Sequence, residues 1–201
     1  MSFQPALFSA PAPSFDASFA RLRKVDLGEG AWVAYAPGWL QGDDTLFTDL
    51  EASAPWRQER RQMYEREVEV PRLVARVADG LNGTVDAMGV ALTGRLRRSL
   101  RHTSLALYRD GRDSVAFHGD RGDAALPGAL TVSVSLGEPR RLLLRRRGGG
   151  PSRFFELGRG DLFVMGGTCQ QTWEHGVPKV ARAGPRLAVL YWMGPASSRP
   201  Q

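Results

Sequence analysis

From residue 103 to residue 193 the chain is a succession of short β-rich runs, at 105–108, 115–118, 130–136, 141–145, 153–157, 161–165 and 185–193, separated by Gly, Pro and Asp. Seven or eight such runs with no helix between them cannot make a parallel α/β sheet, because each parallel pair needs a long crossover, usually a helix. They predict a β-sandwich or jelly roll.

The first half reads differently. Residues 1–19, with Pro5, Pro11 and Pro13 among scattered Phe, Ala and Ser, predict an extended, partly mobile arm. Residues 21–27 and 31–36 bracket Gly28-Glu29-Gly30 and predict a hairpin. Asp43 or Asp44 is placed to cap a short helix through Leu46, Phe47 and Leu50 that ends before Pro55. Val85, Met88, Leu92, Leu96 and Leu100 recur at helical spacing and predict a second helix over 85–100, with Arg95, Arg97 and Arg98 facing outward. The fold class is therefore mainly β with flanking helices (α+β). At 201 residues with no repeat, a single domain over 20–201 is expected, in which 20–102 buttress a β core at 103–195.

The longest apolar runs are too short to span a bilayer, and no signal-like segment opens the chain, so a soluble cytoplasmic protein is expected. Cys169 has no cysteine to pair with and reads as a small buried residue. The net charge of +6 comes from arginine, the only lysines being Lys24 and Lys179. Arginine pairs bidentately with phosphate, which permits a polyanionic partner, although a bias in base composition also favours arginine. Nothing calls for an obligate protein partner.

Only three histidines are present, His102, His118 and His175. His118-Gly119-Asp120 is an H-x-D step, and residues two apart on a strand share a face, so one metal can take both side chains. His175 supplies a third, distant ligand. Two histidines and one carboxylate on one face of an octahedron leave three positions open, which suits non-haem Fe(II) with a bidentate 2-oxo acid and dioxygen. An H-x-D alone is common by chance. The case gains from Arg186, eleven residues after His175, at the start of the strand 186–192, where a cosubstrate carboxylate can be paired; an edge-strand surface arginine is the competing reading.

Over roughly residues 37–193 the chain resembles the AlkB family of Fe(II)- and 2-oxoglutarate-dependent dioxygenases, which repair alkylated nucleic acid. The resemblance rests on 108–114 leading into His118-Gly119-Asp120, on Ser133-Val134-Ser135-Leu136-Gly137, on 160–167, and on Trp56-Arg57 with Arg61-Gln62-Met63-Tyr64. It implies a double-stranded β-helix (jelly roll) core, His118, Asp120 and His175 as iron ligands, and Arg186 and Tyr108 on the distal carboxylate of 2-oxoglutarate. It also implies a substrate lid in which Trp56, Met63 and Tyr64 stack on a flipped base while Arg57, Arg60 and Arg61 meet phosphates. A hairpin whose aromatic residues serve the core is the alternative for that segment.

The implied reaction is oxidative demethylation of N-alkylated bases such as 1-methyladenine and 3-methylcytosine, in single- or double-stranded DNA or RNA, with Fe(II), 2-oxoglutarate and O2, releasing succinate and formaldehyde. The same chemistry on a protein or small molecule, or a silent nucleic-acid-binding module, are the alternatives. The sequence departs from the family at the cosubstrate strand: Trp192 stands where a second arginine is usual, and Ala106 and Ala188 stand at usually polar positions.

Overall fold

The computed structural model describes residues 11–63, 66–120, 122 and 126–195, with side chains throughout except at 59–63 and 66–68. After β1 (Ser14–Phe15) come the hairpin β2 (Arg23–Gly28) and β3 (Ala31–Ala36), β4 (Leu40–Gln41) and α1 (Asp43–Ser53). A second hairpin, β5 (Arg57–Met63) and β6 (Arg66–Val77), leads to α2 (Gly83–Leu96). The β half holds β7 (Leu100–Tyr108), β8 (Val115–His118), β9 (Leu130–Gly137), β10 (Arg140–Arg146), β11 (Arg153–Leu157), β12 (Asp161–Gly167), a single turn α3 (Cys169–Thr172), β13 (Trp173–Val177) and β14 (Arg186–Met193).

The strands form a large antiparallel sheet in the order β2-β3-β12-β9-β14-β7-β6-β5 and a smaller one in the order β11-β10-β13-β8. This is the expected jelly-roll architecture. The period of two in β7, β9 and β14 decides what each face of the large sheet does. Leu105 and Leu107, Val132, Val134 and Leu136, and Leu187, Val189 and Tyr191 face one way and pack with Leu46, Phe47 and Leu50 of α1 and Val85, Met88 and Leu92 of α2. The alternate residues face the small sheet, where Ala106, Tyr108 and Ala188 join Leu142, Leu144, Phe163, Trp173 and Val177. Each fully buried Leu or Met contributes roughly 1.5–3 kcal/mol. The helices thus clamp the large sheet from behind and leave its other face for a site.

Several expectations are corrected. Of the mobile arm expected over 1–19, residues 1–10 lie outside the described residues, and the rest is ordered against the body: Ser14 and Phe15 pair with Gln41 and Leu40, and Phe19 is buried against Trp39. Neither aspartate caps α1. Its N-cap is Gly42 in the left-handed region, where a Cβ would lie 2.8 Å from the Pro11 carbonyl, and Asp43 instead accepts the Gly137 amide at 3.1 Å. Helix α2 starts under Asn82, which accepts the Thr84 and Val85 amides, but stops at Arg97 in the left-handed region, so Leu100 begins a strand. No helix among the described residues is long and apolar enough to cross a membrane.

Candidate metal centre

His118 is the last residue of β8 and lies directly across the ladder from His175 on β13, with ring centroids 4.4 Å apart. Asp120 comes after the strand has ended, so alternation along β8 does not by itself place it, contrary to expectation. Its backbone amide donates to Gln170 Oε1 at 2.9 Å, Thr131 Oγ1 donates to its Oδ2 at 2.7 Å, and Gln170 Nε2 closes the triangle on Thr131 Oγ1 at 3.2 Å. All three residues are buried. The backbone passes so close to α3 that a Cβ at Gly119 would lie 2.5 Å from Arg147 Nη2 and 3.0 Å from the Gln170 carbonyl. A side chain between the two ligands would displace the Arg147 guanidinium and crowd the Gln170 carbonyl, so glycine fits this position best.

The other carboxylate oxygen, Asp120 Oδ1, faces His175 Nε2 at 3.7 Å, and one ligand atom from each of His118, Asp120 and His175 lies within 4.8 Å of the others. His118 Nδ1 points at the Ala116 carbonyl at 2.9 Å, which makes Nδ1 the protonated nitrogen and leaves the Nε2 lone pair for a metal. Burial holds both imidazoles below the ordinary histidine value: His175 falls to about 4, helped by the Arg72 charge, and His118 is lowered by burial and by His175. Both are therefore neutral at pH 7, the form in which an imidazole can bind a metal. This donor set fits Fe(II), with two neutral nitrogens, one anionic oxygen and an open side.

The open side gives onto a cavity of about 1380 Å3 between the sheets. Its floor is the exposed face of β6, β7, β14 and β9, and register arranges that floor in rows. Farthest from Thr131 lies the row of Arg72, Tyr108 and Arg186. Next come Val74, Ala106, Ala188 and Ser135, then Arg76, Ser104, Leu190 and Ser133, and last His102, Trp192 and Thr131 beside Asp120. Arg186 is buried, its Nε donating to the Leu157 carbonyl at 3.2 Å and its Nη2 to Ser135 Oγ at 2.7 Å. Burial lowers its pKa, and its hydrogen-bond partners are neutral oxygens. A buried guanidinium held this way favours an anion from outside.

The sequence-expected residues separate accordingly. His118, Asp120, His175, Tyr108 and Arg186 all line the cavity, and exposed Arg57 lies at its edge. Trp56 is not part of the cavity lining: its Nε1 donates to the Glu51 carbonyl at 2.9 Å and its half-buried ring packs on the core behind the large sheet. Arg61 and Met63 belong to β5, with side chains outside those described, and Tyr64 lies outside the described residues. Trp192 faces the cavity as expected, stacked on His102 at 5.5 Å with Nε1 donating to Ser104 Oγ at 3.0 Å. Sequence reasoning missed Thr131, Gln170 and Arg72. The polar alternation Thr131, Ser133, Ser135 along an otherwise apolar strand was the available signal for the first.

Residues 98–198 match the model of the 2OG-Fe(II) oxygenase superfamily. The chain is 27% identical over 217 residues to the DNA oxidative demethylase ALKBH2 of Arabidopsis thaliana, covering 84% of this chain and 68% of that protein. It is 26% identical over 172 residues to the human alpha-ketoglutarate-dependent dioxygenase alkB homolog 3, covering 73% and 60%. An uncharacterized protein of Acanthamoeba polyphaga mimivirus is 35% identical over 95 residues, 46% of this chain and 49% of that protein. The chain thus spans about half to two thirds of the length of these relatives. The fold is similar to that of a 2OG-Fe(II) oxygenase family oxidoreductase from Burkholderia pseudomallei, with a TM-score of 0.57 at 15% identity over 84% of this chain and 89% of that one. It is also similar to OsALKBH1, with a TM-score of 0.55 at 14% identity over 84% and 99%.

Proposed function

This chain belongs to the 2OG-Fe(II) oxygenase superfamily and is of the AlkB type, and from that premise we propose that it oxidatively demethylates N-alkylated bases in DNA or RNA. Fe(II), 2-oxoglutarate and O2 are the cofactor and cosubstrates that this membership entails. The observation that carries the reading is the convergence of His118, Asp120 and His175 at the wall of a cavity whose far end presents a buried Arg186.

In the reaction, His118 Nε2, Asp120 Oδ1 and a His175 ring nitrogen hold the metal, and Thr131 and Gln170 keep the carboxylate aimed at it. Arg186 and Tyr108 pair the distal carboxylate of 2-oxoglutarate and so orient its 2-oxo acid end toward the triad. When bound, Fe(II) supplies the coupling of dioxygen reduction to oxidative decarboxylation of the cosubstrate and hydroxylation of the alkyl carbon. The N-hydroxymethyl group then breaks down to the free base nitrogen and formaldehyde. The small side chains of Ala106 and Ala188 give room to the cosubstrate in the middle of the floor. At the mouth, Arg57, Arg76 and Lys179 are exposed cations suited to a polyanionic substrate.

The test is anaerobic Fe(II) reconstitution followed by aerobic turnover on oligonucleotides carrying 1-methyladenine or 3-methylcytosine, read by mass spectrometry with succinate measured in parallel. Succinate with no demethylation of any nucleic acid moves the substrate to a protein or small molecule. No succinate at all leaves a silent binding module.

A further inference from the structure

Tyr108 is flanked on both sides by guanidinium groups. Arg186 lies across the β7–β14 ladder from it, with Cζ 5.4 Å from the Tyr108 ring centre. On the other side, Leu73 pairs with Leu107, which brings Arg72 level with Tyr108 across the β6–β7 ladder, and Arg72 Nη1 donates to the Tyr108 hydroxyl at 3.1 Å. Arg72, Tyr108 and Arg186 therefore form one continuous row on three neighbouring strands at one end of the cavity.

Burial first, then the charge of Arg140 and last that of Arg72 lower the pKa of Arg186. Nearby Arg140 is otherwise engaged, its guanidinium donating to the carbonyls of Asp110, Asp113 and Pro178. The next row, Val74, Ala106, Ala188 and Ser135, contains no charge at all. The guanidinium groups of Arg72 and Arg186 thus flank one phenol oxygen, whereas Arg57, Arg76 and Lys179 are exposed at the mouth, and a single carboxylate placed there meets both guanidinium groups and the tyrosine hydroxyl.

We propose that Arg72 is a cosubstrate-binding residue, the second arginine of a clamp in which Arg72, Tyr108 and Arg186 together take the distal carboxylate of a 2-oxo dicarboxylic acid. This rests on the functional reading above. It does not place an arginine where Trp192 stands, because Trp192 lies at the opposite end of β14, roughly 20 Å from Arg186 at the usual rise per residue. The second guanidinium comes from the hairpin strand β6 instead, so the hairpin that borders the substrate opening also contributes to the cosubstrate pocket.

The test uses Mn(II)-loaded full-length protein and calorimetric titration with two ligands, 2-oxoglutarate and 2-oxobutanoate, the second of which keeps the chelating end and lacks the distal carboxylate. Arg72→Gln should weaken 2-oxoglutarate binding about ten- to a hundredfold and leave 2-oxobutanoate binding as in wild type. Arg72→Lys, which keeps a charge but not the planar fork, should fall between the two and decides the matter should the Gln variant fail to fold. Unchanged preference for 2-oxoglutarate over 2-oxobutanoate in both variants overturns the clamp. So does an equal loss for the two ligands, or a loss confined to oligonucleotide binding. Arg186→Ala serves as the control: if it too leaves 2-oxoglutarate binding intact, the cosubstrate pocket itself has been misread.

Discussion

Thr131 Oγ1 donates to Asp120 Oδ2 at 2.7 Å, so one oxygen of the buried carboxylate is engaged by a neutral hydroxyl and the other is left facing His175. A carboxylate held this way would offer a metal its Oδ1 while Oδ2 stays with Thr131. The hydroxyl is itself fixed by Gln170, whose side chain also accepts the Asp120 amide. The aim of the anionic ligand thus depends on residues 11 and 50 positions away in the chain.

Thr131→Val keeps the shape and removes the donor, leaving a buried carboxylate oxygen without its hydrogen bond, at about 1–3 kcal/mol. Metal affinity should fall about 10- to 100-fold, the usual effect of losing such a supporting hydrogen bond. Thr131→Ser should bind metal as wild type does. The measurement is Co(II) titration followed by d–d absorbance, and equal affinity for Val and Thr would show that the triangle does not support the ligand.

Asp120→Ala removes the only acidic member of the triad. Turnover should disappear and bound metal should fall to background, measured by succinate release and by metal analysis of the purified variant. Retained activity with full metal content would refute the ligand assignment.

The β-rich half was legible because its strands are bounded by Gly, Pro and Asp: the ends of 115–118 and 153–157 are those of β8 and β11. The pairing of His118 with His175 is a ladder contact within the small sheet, between the neighbouring strands β8 and β13, and no local pattern in the sequence announces that register. What escaped was set by tertiary contact. Leu100 continues the helical spacing of α2, yet it pairs with Met193 because Arg97 ends the helix first. Pro71 breaks the strand signal of β6, but its carbonyl accepts the Ser114 amide at 2.7 Å and the ladder resumes at Leu73, which is how Arg72 reaches Tyr108. Gln170 acts across 50 residues and has no local signature.

Trp192→Arg tests whether the cavity lacks a cation or is filled where Trp192 stands. The ring is stacked on His102 and its Nε1 is bonded to Ser104, so the substitution removes packing and a hydrogen bond together. The expected outcome is a loss of roughly 1–3 kcal/mol in stability, seen as a lower midpoint in urea unfolding, with no gain in 2-oxoglutarate affinity because the new charge is remote from Arg186. A tighter cosubstrate complex at unchanged stability would contradict this.

Cys169 is buried in α3, and burial, with the Asp120 charge second, pushes its thiol up to about 12. A folded-state value above the unfolded one near 9 means that the thiol form stabilises the fold in full below about pH 9, and that this contribution is lost as pH rises from there toward 12. Native protein at pH 8 should therefore resist N-ethylmaleimide, while urea-unfolded protein reacts at once. Rapid labelling of the native protein, read by intact mass, would place the sulfur at the surface.

The salt dependence of nucleic-acid binding probes the hairpin. Arg57 is exposed at the edge of the cavity, and Arg60 and Arg61 follow it on β5, paired in backbone register with Glu69 and Val68. If these arginines contact phosphates, each releases counterions on binding, and the slope of log K against log salt carries about −0.7 per contact on a single strand. Alanine at all three positions should then flatten the slope by up to about 2, while succinate formation without nucleic acid stays as in wild type, because β5 is the edge strand of the large sheet and carries neither a triad residue nor Arg186. Fluorescence anisotropy of a labelled single-stranded oligonucleotide between low and moderate salt gives the slope directly. An unchanged slope with weakened binding would mean that these residues shape the hairpin and that the phosphates are met elsewhere, with Arg76 and Lys179 at the cavity mouth the next positions to replace.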